Sequence, residues 1–184
     1  TKAMQFVEDV AKKSGLDIVQ WRDVPVNEDV LGELSREFVP TVKQVAFQLS
    51  PELAAKTANR EEFELILYDA RREIQGYFRT LESINAYICS MSSKTIVYKG
   101  MLRSCDVGKF YLDLENPDYE TTFAVYHRRF STNTVPKWFL AQPMRILSHN
   151  GEINTLLGNI NWVRSRQVAI RKANKELVRA PLVD

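Results

Sequence analysis

The clearest amphipathic pattern in the chain lies between Arg60 and Leu81. Apolar residues recur there every three or four positions with charged residues between them, which is the spacing of one face of a helix. The apolar stripe consists of Phe63, Ile66, Leu67, Ala70, Ile74, Phe78 and Leu81. The pattern predicts a helix over residues 60–81 whose function is packing.

Two further stretches have helical character. Residues 2–14 place Phe6, Val7, Val10 and Ala11 on one face, and Gly15 supplies a stop signal directly after them. Residues 154–178 predict another helix, which Gly158 and Asn159 weaken. Its basic end suits the negative end of the helix dipole.

Shorter apolar or alternating runs predict strands between these helices. They cover residues 16–21, 39–49, 84–91, 95–98 and 122–126. Pro40 breaks the start of the second run, and a Ser-Ser-Lys connection joins the third and fourth into a hairpin. We predict a loop opening into a helical turn at 21–32, a connection of partly helical character at 51–59, an amphipathic piece at 107–114 and a loop at 135–142. Trp138 and Phe139 either pin that last loop by packing, which the pattern favours, or form the wall of a pocket.

Composition excludes several classes of function. A chain of 184 residues with 45% apolar content can bury a core and is typical of a soluble globular domain. Its 25 basic and 23 acidic residues give a net charge of +2, so a nucleic-acid interface is not expected. The basic runs at 71–73 and 164–175 are interpreted as solvated helix faces. No apolar run reaches the length of a membrane span, and acidic residues interrupt the N-terminus before any signal-peptide core.

The two cysteines do not suggest a site. Cys89 and Cys105 form no CxxC motif, which argues against a disulfide framework or a thiolate metal site. Cys89 falls inside a predicted strand, so we expect a buried and inert thiol. We expect Cys105 to be partly exposed and equally inert.

Polar residues concentrate between His127 and Trp162, and this stretch holds both histidines of the chain. An Arg-Phe-Ser-Thr run at 129–132 and a His-Asn-Gly run at 149–151 each follow a segment of strand-like content. A strand that ends in Asn-Gly presents a side-chain amide and a backbone N–H, and the two together can hold an oxyanion. The same dipeptide between apolar runs is also the strongest short-range signal for a hairpin turn.

Longer strings carry a family resemblance. The runs AVYHRRFSTNT, LAQPMR and HNGEINTLLGNINW resemble the glutaminase domain of the glutamate synthases, a class II glutamine amidotransferase domain of the N-terminal-nucleophile hydrolase superfamily. The amino-acid sequence of these runs resembles the ferredoxin-dependent members more than the NAD(P)H-dependent members. The resemblance implies an α+β fold that is part of an αββα four-layer sandwich. It also implies release of ammonia from L-glutamine for the synthesis of L-glutamate from 2-oxoglutarate.

The resemblance assigns roles to five residues. It implies that Arg129 binds the α-carboxylate of glutamine, that Asn150 and Gly151 form the oxyanion hole, and that Thr132 and His149 belong to the substrate-binding set. His149 is further expected to support the Asn150 turn through a hydrogen bond. Arg128 and Arg129 are neighbours on a predicted strand and so point to opposite faces, which means that only one of them can clamp a carboxylate. The resemblance selects Arg129. A zinc site is not expected, since His127 and His149 are 22 residues apart and no carboxylate cluster accompanies them.

The family's nucleophile is an N-terminal cysteine, whereas residue 1 here is Thr1. Thr1 begins a predicted helix rather than a strand, so we do not expect it to be a nucleophile. We expect residues 1–184 to be a partial domain that lacks both the nucleophile strand and the C-terminal part.

The implied partners are L-glutamine, the rest of the synthase chain and ferredoxin, in the plastid stroma or the cyanobacterial cytoplasm. FMN and an iron–sulfur cluster are implied for the parent enzyme only, because this segment has no cluster-type cysteine spacing. The alternatives are another class II amidotransferase and a non-catalytic glutamine-binding module.

Overall fold

The computed structural model describes residues 1–81, 86–130, 135–142 and 156–173. The helices are α1 (Lys2–Lys13), α2 (Glu33–Glu37), α3 (Pro51–Ala54), α4 (Arg60–Thr80), α5 (Val107–Phe110) and α6 (Leu156–Ala173), and the strands are β1 (Leu16–Asp23) and β2 (Lys43–Leu49). Short 3₁₀ turns lie at Glu28–Val30, Ser104–Asp106, Leu112–Glu115 and Trp138–Leu140. The predicted mixture of helix and strand is confirmed at this level.

The chain divides into two compact units. The first unit contains residues 1–19, 47–95 and 149–184, and the second contains residues 20–46 and 96–148. That all 184 residues belong to one partial domain stays a prediction.

Helices α1 and α4 form the core of the first unit. They bury the faces that the sequence pattern predicts: Val7, Val10 and Ala11 from α1, and Ile66, Leu67, Ala70, Ile74 and Phe78 from α4. The rings of Phe6 and Tyr77 stack with centroids 3.6 Å apart, and Lys13 pairs with Glu73 at 2.7 Å. Burial of each large aliphatic side chain contributes about 1.5–3 kcal/mol, so the two periodic faces account for the packing of this unit.

Gly15 ends α1 as the sequence predicts. Its backbone has a φ of +71°, a left-handed conformation that favours glycine, and a Cβ there would lie 2.8 Å from Leu53 Cδ2. The chain then enters β1, which pairs with β2. The strands run antiparallel, because hydrogen bonds join Ser50 N–H to the Gly15 carbonyl at one end and Val24 N–H to the Val42 carbonyl at the other.

The predicted hairpin of strands 84–91 and 95–98 is wrong for the residues that the structure describes. Residues 86–98 form no strand, because side chains of α4 bind the connection. The Glu64 carboxylate accepts hydrogen bonds from the Ser92 hydroxyl at 2.7 Å and from the Ser93 N–H at 2.6 Å. Arg60 Nε also donates to the Ser93 hydroxyl at 3.0 Å. Cys89, expected to be buried in a strand, is instead half-buried in irregular chain.

The predicted strand 122–126 is also wrong. These residues are irregular, and Phe123 and Tyr126 are 68% and 80% exposed. A strand needs a neighbour to satisfy its backbone and cover its apolar face, and no other described segment pairs with this one. The alternating pattern is present, but the described ranges contain no partner strand for it.

The core of the second unit surrounds Phe110, which is completely buried. Its ring lies 4.7 Å from that of Tyr111 and 5.6 Å from that of Trp138, measured between centroids. The Trp138 indole N–H donates to the Ser35 carbonyl at 3.1 Å, and the buried Lys99 ammonium donates to the Phe139 carbonyl at 2.9 Å. The prediction that Trp138 pins the 135–142 loop by packing is confirmed, with a 3₁₀ turn inside that loop.

A polar cluster around Asp113 also stabilises the second unit. Arg22 forms a two-pronged hydrogen bond to the Asp113 carboxylate, with its third guanidinium nitrogen on the Gln44 side chain, and the Tyr98 hydroxyl donates to Asp113 at 2.9 Å. The hydrogen bonds from Arg22 lower the pKa of Asp113 although partial burial opposes that change. The structure therefore favours the ionised carboxylate.

We expect Asp113→Asn to destabilise the second unit by about 1–2 kcal/mol at pH 7, because it removes a charged hydrogen bond to Arg22. The effect is not larger because part of the Arg22 side chain is exposed, and solvent screens the interaction. A carboxyl whose folded pKa is depressed stabilises the fold above its unfolded pKa of about 3.9, and this contribution is lost as the pH falls through the folded pKa. The difference between wild type and variant should therefore be present at pH 7 and shrink below about pH 4. Amide hydrogen exchange of residues 98–113 measures it. The exposed Asp118 gives the matched control, and an equal effect of Asp118→Asn would contradict the prediction.

Candidate functional site

Arg129 is the predicted site residue that falls within the described part of the chain. Thr132, His149, Asn150 and Gly151 lie outside the described residues, so their roles stay predictions.

Arg129 lies in an irregular and exposed segment at the end of the run 122–130. Its backbone N–H donates a hydrogen bond to the Nδ1 atom of His127 at 3.3 Å. The imidazole therefore contacts the backbone of the residue two positions later. The sequence suggests for His127 only the metal-ligand role that is not expected here, and no local signal predicts this contact.

The neighbouring Arg128 has a different partner. Its Nε donates to the Ser104 hydroxyl at 3.2 Å, which ties this segment to the 3₁₀ turn Ser104–Asp106. No hydrogen bond or ion pair joins the Arg129 guanidinium to another residue in the described ranges. The structure thus distinguishes the two arginines by their contacts.

The predicted reason for that distinction was wrong. Opposite orientations were expected from a strand, and residues 122–130 form no strand. Instead, Arg128 is held by a residue 24 positions earlier in the chain. No local sequence signal could have identified Ser104 as its partner.

Thr1 serves a structural role. It is the N-cap of α1, and its hydroxyl accepts a hydrogen bond from the Met4 N–H at 3.3 Å. N-cap threonines satisfy one of the free N–H groups of the first helical turn. That Thr1 begins a helix, as the sequence predicts, is confirmed.

The described residues offer no cluster of side chains suited to a metal ion, and the chain has too few cysteines for an iron–sulfur cluster. Among the described residues, no three His, Cys, Asp or Glu side chains come together in a group that could hold a metal ion. Cys89 and Cys105 are free thiols, and two cysteines cannot supply the four thiolates that an iron–sulfur cluster needs. The described helices include none that combines the length and the apolar character needed to cross a membrane.

Comparison with protein families identifies the class of the domain. The family described as "Glutamine amidotransferases class-II" matches residues 1–180. The chain belongs to the class-II glutamine amidotransferases. The match covers both compact units, and it confirms the family that the motif strings of the sequence indicate.

Curated relatives of this amidotransferase chain are ferredoxin-dependent glutamate synthases. The chloroplastic/mitochondrial enzyme 1 of Arabidopsis thaliana is 47% identical over 173 residues, which cover 94% of this chain and 10% of the relative. Enzyme 2 of Synechocystis sp. is 52% identical over 165 residues, and the chloroplastic enzyme of Oryza sativa is 46% identical over 171 residues, with 90% and 92% of this chain covered. The chain spans about a tenth of the length of each of these relatives.

Proposed function

We propose that this chain is the glutaminase segment of a ferredoxin-dependent glutamate synthase. In that role it releases ammonia from L-glutamine, and the remainder of the enzyme uses the ammonia to form L-glutamate from 2-oxoglutarate. The observation that carries the proposal is the class-II amidotransferase match over residues 1–180, in a chain 46–52% identical to three ferredoxin-dependent glutamate synthases.

The proposal includes the fold of the domain, the parent enzyme and its cellular location. Residues 1–184 are a partial amidotransferase domain that contributes to an αββα four-layer sandwich, and a parent about ten times longer carries the rest. Ferredoxin, FMN and an iron–sulfur cluster are assigned to that parent. This segment cannot hold the cluster by itself, because it has only two cysteines. Chloroplastic and cyanobacterial relatives support a plastid stroma or a cyanobacterial cytoplasm as the location.

Arg129 is the proposed clamp for the α-carboxylate of glutamine. A guanidinium group offers two parallel N–H donors that match the two oxygens of a carboxylate. Both arginines are exposed, but the Nε of Arg128 donates to Ser104, whereas no described hydrogen bond or ion pair engages the Arg129 guanidinium. The contacts of the two side chains therefore support the choice of Arg129.

The remaining roles follow from the motif. Asn150 and Gly151 provide the oxyanion hole, in which the side-chain amide and the backbone N–H stabilise the charge that develops on the amide oxygen of glutamine. Thr132 and His149 complete the proposed substrate-binding set, with His149 supporting the Asn150 turn. The family's nucleophile is a cysteine, and this chain contributes the binding groups around it.

The whole proposal is tested with the purified full-length protein. We expect glutamine hydrolysis, and glutamate formation from 2-oxoglutarate that depends on reduced ferredoxin. Glutamine hydrolysis coupled to amination of a different acceptor would instead identify another class II amidotransferase. Absence of hydrolysis with retained glutamine binding would identify a non-catalytic module.

Arg129→Ala in the full-length protein should raise the KM for glutamine by about 10- to 100-fold, because it removes a charge-assisted hydrogen bond worth about 1.5–3 kcal/mol. The clamp holds the substrate equally in the ground state and the transition state, so kcat should change little. Steady-state hydrolysis over a range of glutamine concentrations separates the two constants.

Arg128→Ala is the matched control. It makes the same chemical change at the adjacent residue and breaks only the hydrogen bond to Ser104. We expect its KM to stay within about twofold of the wild-type value, since Arg128 is not the proposed clamp and its exposed hydrogen bond to Ser104 contributes only about 0.5 kcal/mol. A large rise in KM in Arg128→Ala, with no change in Arg129→Ala, would show that Arg128 and not Arg129 is the clamp.

A further inference from the structure

The backbone of the proposed clamp residue is held by a side chain. The Nδ1 atom of His127 accepts the Arg129 N–H at 3.3 Å, and the side chain of the intervening Arg128 is tied to Ser104. The segment is otherwise exposed and irregular, with neither helix nor strand to fix it. Among the described contacts, the hydrogen bond from the Arg129 N–H to His127 is therefore the one that acts directly on the backbone of Arg129.

The contact between His127 and Arg129 resembles the local turns that Asn and Asp side chains form. In those turns a side-chain acceptor binds the N–H two residues later and thereby restricts the intervening backbone angles. An imidazole nitrogen accepts a hydrogen bond only when it carries no proton, so this contact uses the lone pair of Nδ1. The restricted angles set the direction in which the Arg129 side chain leaves the backbone.

We propose that His127 is a positioning residue for glutamine binding, because its imidazole holds the backbone of Arg129 in the orientation that presents the guanidinium to the substrate carboxylate. This inference rests on the proposed function and deepens it. His127 acts through Arg129 and makes no contact with the reacting amide. It is consequently distinct from the groups that form the oxyanion hole.

The proposal has a specific kinetic consequence. If the hydrogen bond is lost, Arg129 occupies the binding orientation for a smaller fraction of the time, and the apparent affinity for glutamine falls by that fraction. A neutral hydrogen bond of this kind corresponds to a change between about 2- and 10-fold. The KM for glutamine should rise by this factor, and kcat should be retained because the bound complex still contains a correctly placed arginine.

The experiment compares two substitutions in the full-length protein. His127→Leu has a side chain of similar reach without an acceptor, and we expect the 2- to 10-fold rise in KM. His127→Asn places an amide oxygen where Nδ1 lies and can form the same turn, so we expect its KM to return to within about twofold of the wild-type value. Unchanged melting temperatures in both variants show that the comparison concerns the local turn and not folding.

A double-mutant cycle with Arg129→Ala decides whether His127 acts through the arginine. Effects that depend on one shared interaction are not additive. We therefore expect the double variant His127→Leu/Arg129→Ala to have the same KM as Arg129→Ala alone. A further rise in the double variant would overturn the proposal, as would a normal KM in His127→Leu or a loss that appears in kcat.

The same cycle separates this inference from the proposed function. If Arg129→Ala leaves the KM for glutamine unchanged, the assignment of the clamp fails, and the positioning role fails with it. If Arg129→Ala raises the KM and His127→Leu does not, the clamp stands and only the positioning role is overturned. If His127→Leu lowers the melting temperature and His127→Asn does not restore the KM, the residue is structural and the proposal is overturned.

Discussion

Asn150→Ala in the full-length protein is expected to lower kcat for glutamine hydrolysis by about 10²- to 10³-fold. The proposed oxyanion hole engages a charge that appears only as the tetrahedral intermediate forms, so the loss should affect the chemical step more than binding. The KM for glutamine should therefore change much less than kcat. Single-turnover measurement of ammonia release reports the chemical step directly.

A control for this substitution exists nine residues later in the chain. Asn159 lies exposed in α6, and Asn159→Ala makes the same chemical change without affecting the proposed hole. Its kcat should match that of the wild type. Glutamate synthesis supplied with ammonia in place of glutamine should persist in Asn150→Ala, because that route does not require amide hydrolysis. Normal glutaminase turnover in Asn150→Ala would show that the Asn-Gly sequence forms only a turn.

Elements with a periodic apolar face could be predicted from the sequence. The core faces of α1 and α4 follow directly from residue spacing. The end of α1 could be predicted from Gly15, because glycine readily adopts the left-handed backbone observed there. Such signals are local, since a helix satisfies its backbone hydrogen bonds within itself. The part of α6 that the structure describes, Leu156–Ala173, lies within the predicted range, although none of its described residues is buried.

Elements that depend on distant partners could not be predicted. The Ser92 and Ser93 connection has the composition of a hairpin turn, but Glu64 binds it from 28 and 29 residues earlier in the chain. The 122–126 segment alternates as a strand would, but no described segment pairs with it. Helix α2 has only five residues, Glu33–Glu37, which are too few to show a periodic apolar face. Its Ser35 carbonyl instead accepts the indole N–H of Trp138, 103 residues later.

For the candidate site, the sequence could predict the identity of the residues better than their surroundings. The strings around Arg129 and Asn150 indicate the amidotransferase family because they are long and specific, and the family match confirms that interpretation. The contacts from Arg128 to Ser104 and from Arg129 to His127 depend on how the irregular chain between the elements folds. Helix and strand propensities and apolar periodicity carry no information about these irregular segments, so their hydrogen bonds cannot be predicted from the sequence.

Trp138→Ala should destabilise the second unit by about 3–5 kcal/mol, the usual cost of truncating a large buried aromatic side chain. The Trp138 side chain is only 5% exposed, its ring packs on the fully buried Phe110, and its indole N–H satisfies the Ser35 carbonyl. A Cβ on Gly100 would lie 2.5 Å from the Trp138 ring, so the surrounding chain is built closely around this side chain. Truncation would therefore remove apolar contacts from Phe110 and leave a cavity. Amide hydrogen exchange of residues 99–115 measures the change, and opening should become roughly 10²- to 10⁴-fold more frequent.

Trp162 provides the matched control, because it is a tryptophan on α6 that is 71% exposed. Trp162→Ala should change local stability by less than about 0.5 kcal/mol, as is usual for a substitution away from packed contacts. Trp138→Phe should fall between the two alanine variants, since a phenyl ring retains part of the contact with Phe110 but cannot donate to the Ser35 carbonyl. Equal exchange rates in Trp138→Ala and Trp162→Ala would show that Trp138 does not anchor the 135–142 segment. A Trp138→Phe variant as unstable as Trp138→Ala would instead assign most of the stabilisation to the indole hydrogen bond, and packing against Phe110 would then be the minor contribution.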